Sequence, residues 1–248
     1  MKLRFLVAAT ASLFLSYAAS AAEIKVLAPG ATKEVYLDLV PQFEQSSKHK
    51  ATTTWSGTAD IKKRMAAGEV YDVVIVGAPD IDAFIKQGKM VAGSRIDLMK
   101  SGVGVAVRAG APKPDISSSE ALKKTLLAAK SIGYSTGPSG VYVMSLIERM
   151  GIADQVKSKL KQTPSGVRIG TIIANGEAEI GFQQISELIH EPGVDYLGPL
   201  PADVQNITVY AAGIHSGAKQ PDAAKELIKV FTAPAAATVI KKYGMEPG

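Results

Sequence analysis

The sequence predicts an α/β protein of two lobes, with a mostly parallel sheet in each lobe and a cleft between them. Three observations carry that expectation. Apolar strand-like runs alternate with helical patterns between residues 23 and 77, the rhythm of a layered α/β sandwich. The composition then shifts at Gly110-Ala111-Pro112-Lys113-Pro114, so that the units on either side read as halves of a pair. Finally, three apolar runs end in small polar turns that open helices, and a two-lobed chain brings such ends to one cleft.

Taken in order, Ile24-Lys25-Val26-Leu27-Ala28 reads as the first strand, closed by Pro29-Gly30. Val35, Leu39, Val40 and Phe43 recur at helical spacing, and Pro41 predicts a kink or short break. A polar turn over 46–50 leads to a strand ending near Trp55. Residues 60–67 read as a helix stopped by Gly68, and Tyr71-Asp72-Val73-Val74-Ile75-Val76 as a buried strand stopped by Gly77-Ala78-Pro79. A helix over 80–88 carries Ile81, Phe84 and Ile85 on one face. Residues 103–108 form a strand. Ser117-Ser118-Ser119-Glu120 then has capping-box spacing with Ser117 as the cap, ahead of a helix over 121–129.

Ser131-Ile132-Gly133-Tyr134 is a strand feeding a polar loop, and a helix follows over 141–150. The basic run Lys157-Ser158-Lys159-Leu160-Lys161 reads as a solvated helix face. A helix over 167–175, a strand over 178–182, a helix over 185–190 and short strands over 195–197 and 207–214 come next. Helices over 222–231 and 234–243 close the chain, with Pro221 and Pro234 as first-turn prolines. The expected division is a leader at 1–22, lobe 1 at 23–103, lobe 2 at 104–204 and a return to lobe 1 at 205–248.

Lys2 and Arg4, an apolar run over 6–18 and the small residues Ser20-Ala21-Ala22 are the three parts of a secretory signal peptide, cleaved before Glu23. Export to the periplasm follows. Removing 22 of 248 residues leaves 226, and without Lys2 and Arg4 the net charge falls from +5 to +3. The remaining basic residues are scattered over helix-like segments, which argues against a nucleic-acid partner. There is no cysteine, hence no disulfide scaffold and no thiolate nucleophile. No other apolar stretch is long enough to span a bilayer, so a soluble monomer is expected once the leader is removed.

The chemistry lies in the three turns. Gly30, Ala31, Thr32 and Lys33; Ser56, Gly57 and Thr58; and Ser139, Gly140, Val141 and Tyr142 each stand at a helix start. There, backbone N–H groups lack intrahelical partners and hydroxyls add donors, so a small anion is held without a full counter-charge. For any one turn, a simple helix cap explains the residues as well. Gln183 and Gln184, after the strand ending at Phe182, are amides able to read a carboxylate or hydroxyl, or else part of an exposed loop. Arg108 and Arg168 are further carboxylate partners or plain surface residues, and Trp55 and Tyr142 wall the pocket or pack the core. His49, His190 and His215 show no metal-ligand spacing, and no metal or cofactor is expected. No Ser-His-Asp order, phosphate loop or dinucleotide motif is present, and no residue is marked as a catalytic base.

The segments Val26 to Lys33, Trp55 to Met65, Tyr71-Asp72-Val73-Val74-Ile75, Thr136-Gly137-Pro138-Ser139-Gly140-Val141-Tyr142 and Asn175-Gly176-Glu177-Ala178-Glu179-Ile180-Gly181-Phe182 resemble the periplasmic molybdate-binding family of ABC-transport solute receptors. The resemblance covers essentially the whole mature chain. It implies a periplasmic-binding-protein-like fold whose lobes close on a small anionic ligand and deliver it to an ABC permease. The chain departs from that family at Ala31, where a serine is usual, and at Gln184, where a tyrosine is frequent. Two hydroxyls fewer around an enclosed tetrahedral anion leave its acceptors poorly matched, which points away from molybdate and toward an organic di- or tricarboxylate. The same superfamily includes a periplasmic isomerase of trans- and cis-aconitate. An isomerase reading needs a proton shuttle, for which Ser139, Thr58, Tyr142 and Lys33 are the candidates.

Overall fold

Strand β4, with thirteen residues, is long enough to serve two sheets, and the architecture follows from that. The computed structural model describes residues 21–248, so the expected leader lies outside the described residues except for Ala21 and Ala22. The first unit runs β1 (Glu23–Ala28), α1 (Lys33–Ser47), β2 (Lys50–Trp55), α2 (Thr58–Ala66), β3 (Val73–Gly77) and α3 (Ala78–Lys86). After β4 (Ile96–Arg108) come α4 (Ser119–Ala128), β5 (Ile132–Tyr134), α5 (Pro138–Arg149), α6 (Ala153–Val156), β6 (Leu160–Gln162) and α7 (Ile169–Ala174). The chain ends with β7 (Ile180–Gln184), α8 (Ile185–Leu188), β8 (Val194–Pro199), β9 (Ile207–Ile214), α9 (Pro221–Thr232), α10 (Ala236–Lys242) and β10 (Glu246–Pro247).

The strand order is β2-β1-β3-β9-β4-β7-β5-β6, with β8 and β10 also on β4. Strands β2, β1 and β3 are parallel in one lobe, and β6, β5 and β7 are parallel in the other. Antiparallel strands join them, so the sheet as a whole is mixed. Residues 96–102 of β4 pair with β9, and residues 103–107 pair with β7. The partner of β4 thus changes from β9 to β7 at Gly102–Val103 while the chain stays extended. Just before β9, Gln205 donates to the Val103 carbonyl at 3.0 Å and accepts from the Val103 N–H at 2.8 Å.

Helices cover both faces of each sheet, and the side-chain alternation of the strands is divided between them. In β3, Val73 and Ile75 face a core with α1, α9 and α10, whereas Val74 and Val76 face α2 and α3. In β4, Val103, Val105 and Val107 enter the core of α4 and α5, and Ala106 enters that of α7 and α8. Each buried Val or Ile stabilises the fold by about 1.5–3 kcal/mol.

Several local expectations are corrected. Pro41 lies inside a continuous α1, so of the kink or break expected there the break does not occur. The hydrogen bond it deletes would have ended at the carbonyl of Leu37, on the exposed side of the helix, where water takes its place. Ser118 rather than Ser117 caps α4, accepting from the Ala121 N–H at 3.1 Å. Helix α5 starts at Pro138, three residues before the expected start, because Pro at the first position is already set to the helical φ. β4 begins at Ile96 rather than Val103, and Leu160 and Lys161 of the basic run join Gln162 in strand β6 beside β5.

Asp72 ties the first lobe together. It is 2% exposed, and its carboxylate accepts from the backbone N–H groups of Lys25 at 2.8 Å, Lys219 at 2.7 Å and Gln220 at 2.8 Å. These bonds join β1 to the segment entering α9. Asp72→Asn keeps the shape but removes the charge and turns an NH2 toward a backbone donor. We expect a loss of about 2 kcal/mol, read as a melting temperature lower by about 4–8 °C in thermal denaturation.

Candidate functional site

The ends of β1, β2, β5 and β7 open into one cavity of about 160 Å³ between the lobes. Lobe 1 lines it with Pro29, Gly30, Ala31, Lys33, Trp55, Ser56, Gly57 and Thr58, and lobe 2 with Ser135 to Ser139, the loop around Gly166, Arg168, Gln183, Gln184 and Glu187. The three turns thus converge. At the first, Thr32 and Lys33 N–H donate back to Pro29 and Gly30, so Gly30 and Ala31 hold the unpaired backbone donors. At the second, Asp60 and Ile61 N–H both return to the Gly57 carbonyl, leaving those of Thr58 and Ala59. At the third, the first helical bond is Val141 N–H to the Gly137 carbonyl, and Pro138 has no N–H, leaving Ser139 and Gly140.

Not every expected residue faces this space. The Thr32 hydroxyl is fully buried and donates to the Pro29 carbonyl at 3.1 Å. Val141 is 67% exposed, and its N–H is committed to the helix, so it supplies no donor. Tyr142 donates to the Val204 carbonyl at 2.8 Å and belongs to a neighbouring surface groove rather than to the cavity wall. Gly140 packs on Ser135, whose carbonyl a Cβ there would meet; only glycine lets α5 start so close to the turn. Ser139 is buried with its hydroxyl 3.3 Å from that of Ser135. Trp55 does wall the cavity, edge-on to Tyr36 at 5.2 Å, with Lys33 Nζ 5.9 Å from its ring centre.

The two glutamines are buried strand residues, not parts of an exposed loop. Gln183 Oε1 accepts from the Ile169 N–H at 2.7 Å, capping α7. Gln184 is consumed by the crossing strands: its amide nitrogen faces the carbonyls of Ser101 and Gly102 at 3.1 Å each, and its oxygen accepts from the Thr208 hydroxyl at 3.0 Å. Arg108 is exposed beside Gly176, away from the cavity. Arg168 spans the cleft, bonding Glu34 of lobe 1 at 2.9 Å and Glu191 of lobe 2 at 2.7 Å. The histidines lie elsewhere: His49 Nδ1 accepts from the Ala22 N–H, His190 contacts the Lys242 carbonyl, and His215 Nδ1 accepts from the Gly217 N–H.

Among the cavity residues that escaped the sequence reading are Pro164, Gly166 and Val167 of one loop and, with chemistry of their own, Glu187 and Tyr210. Glu187 sits on α8, where Gln183 Nε2 donates to its Oε1 at 2.9 Å, and a methyl group on Gly30 would stand 3.1 Å from that same oxygen. Protein packed around the carboxyl strips its hydration and pushes its pKa up to about 7. Arg168 opposes that rise and the like charge of Glu191 adds to it. Tyr210 has its hydroxyl pushed well above the usual range by burial, with Glu187 adding to the effect. No local pattern marked Glu187, because Gln183 ends strand β7 while Glu187 stands on α8, and the two meet only through the turn between them.

The cleft is closed. Gly57 of lobe 1 lies against Ser165 and Gly166 of lobe 2, so tightly that a Cβ on Gly57 would overlap the Ser165 side chain and the Gly166 backbone. Ser186 also donates across to the Ala31 carbonyl at 2.8 Å. Chemically, the arrangement offers paired N–H donors from three helix starts, the cations Lys33 and Arg168, and one acid.

Comparison with known proteins gives the family and the fold. The chain is 34% identical to an aconitate isomerase of Pseudomonas sp. over 230 residues, covering 90% of this chain and 87% of that protein. It is 29% identical to a molybdate-binding protein of Azotobacter vinelandii over 245 residues, covering 96% of each. Among solved structures, the periplasmic molybdate-binding protein of Azotobacter vinelandii superposes with a TM-score of 0.77 at 19% identity, over 91% of this chain and 99% of that one, and so shares the fold. Residues 24–246 match the model of the bacterial extracellular solute-binding proteins, and the chain belongs to that family.

Proposed function

We propose that this protein captures a small organic di- or tricarboxylate in its inter-lobe cavity, in the periplasm, and presents it to an ABC permease. The observation that carries this reading is the cavity itself: set between lobes, faced by three helix starts and by Lys33, and about 160 Å³ in volume. Ala31 brings no hydroxyl and Gln184 spends its amide on the crossing strands, which reduces the match to a compact tetrahedral anion. The proposed ligand contacts are Gly30, Ala31, Lys33, Ser56, Gly57, Thr58, Ser139, Gly140 and Gln183.

A thermal-shift panel of molybdate, sulfate, citrate, cis-aconitate, trans-aconitate and short dicarboxylates tests it. Polycarboxylates are expected to raise the melting temperature with concentration, and molybdate to do so little or not at all. A rise with molybdate alone would overturn the ligand assignment.

A second reading has its own support. The relative at 34% identity is named an aconitate isomerase, and an acid lies in the cavity. On this reading the bound ligand is trans-aconitate and the closed cleft interconverts it with the cis isomer, without a cofactor.

A further inference from the structure

An allylic isomerisation requires a group that takes a proton from carbon and gives it back, and the cavity restricts where that group can be. Of the lining residues among the described ones, Lys33, Arg168, Tyr210 and Glu187 are ionisable, and Glu187 is the one carboxylate. Lys33 is a cation suited to holding a ligand carboxylate, Arg168 is a cation already paired across the cleft, and the buried phenol of Tyr210 keeps its proton. Glu34 and Glu191 are engaged by Arg168. The hydroxyls of Ser139 and Thr58 have no adjoining base in the cavity other than Glu187.

We propose that Glu187 is the acid–base residue of this cleft, removing a proton from the methylene of a bound unsaturated tricarboxylate and returning it to the other end of the three-carbon unit. The proposal rests on the isomerase reading above. The methylene C–H bond breaks and its proton passes to a carboxylate oxygen of Glu187. The freed electron pair forms a new C=C bond, the old C=C pair moves to the far carbon, and the same carboxyl delivers the proton there. No oxidant, reductant or water is consumed.

The geometry suits a shuttle. Gln183 anchors Oε1 at 2.9 Å and is itself fixed by the Ile169 N–H, so the carboxyl is held in one orientation with Oε2 left for the ligand. Gly30, whose N–H is unpaired, packs against this carboxyl, so the helix start that would receive the negative charge spreading onto a ligand carboxylate is its neighbour. Its pKa, raised to about 7, lets it act in both directions near neutral pH.

The test uses purified protein with trans-aconitate, following cis-aconitate by proton NMR and binding by thermal shift. Wild type is expected to form the cis isomer. Glu187→Gln is expected to keep ligand stabilisation while kcat falls by about 100-fold or more, with KM not raised, and to lose the rise of kcat with pH seen in wild type. Glu187→Asp, which withdraws the carboxyl by one methylene, is expected to lose about tenfold and to retain the pH inflection, and it carries the test if the Gln variant does not fold. A Gln variant within about fivefold of wild type overturns the role of Glu187 and leaves the isomerase reading standing. Wild type stabilised by trans-aconitate but forming no cis isomer overturns both and leaves capture standing.

Discussion

Gly57→Val is expected to weaken tricarboxylate binding about a hundredfold, roughly 3 kcal/mol, with little change in the stability of the unliganded protein. Gly57 has φ −69° and ψ 153°, an ordinary extended conformation, so a β-branched side chain fits the local backbone. What it does not fit is the closed cleft, where Ser165 and the Gly166 backbone occupy the place of its Cβ. With the lobes apart that space opens, so the cost falls on the closed state alone. A ligand held by both lobes then spends its differential affinity on forcing closure. Calorimetric titration with trans-aconitate, together with small-angle scattering with and without ligand, checks this. Undiminished affinity would mean that the Gly57 contact is not part of ligand capture.

The second large effect is on pH. In the free protein the Glu187 carboxyl titrates near 7, raised from 4.5 mainly by burial. An anion placed beside it raises that value further, so the complex holds more proton than the free protein. Affinity is therefore expected to be flat below about pH 7, to fall by up to about tenfold per unit above it, and to level off beyond the pKa of the complex. Glu187→Gln should flatten the curve, which separates this effect from titration of the ligand itself. The same group acts on folding stability with a definite sign. Because the folded state holds the proton more tightly than the unfolded chain, its contribution is present below about 4.5 and is lost as pH rises through about 7.

Legibility from sequence follows how local each cause is. β9 was readable over 207–214 because no charged residue breaks its run; the first half of β4 was not, because Asp97 and Lys100 interrupt the pattern and a register shift lies between Asp97 and Met99. The three turns were readable because a helix start is written in consecutive residues. Which of their groups remain free was not: whether Val141 N–H is spent depends on where α5 begins, and Pro138 moves that point by three residues. Glu187 was the hardest. On its own helix it is a polar residue, and its acidity comes from packing against Gly30 and the charges of Arg168 and Glu191, which are distant in sequence.

The position of β9 bears on how the chain acquires its structure. β9 lies between β3 and β4, so the sheet containing the first strands of the chain has a gap until residues 207–214 are present. By contrast, β5, β6 and β7 pair with one another and with β4 within one continuous stretch. As the polypeptide emerges from its N-terminus, the part made second is thus the first able to complete its core, and the earliest segment waits with an open strand edge. A chain built this way stays unfinished until nearly all of it is available. That delay keeps it pliable during synthesis and makes the waiting edge of β3 the point where association with other chains is most to be expected before folding ends.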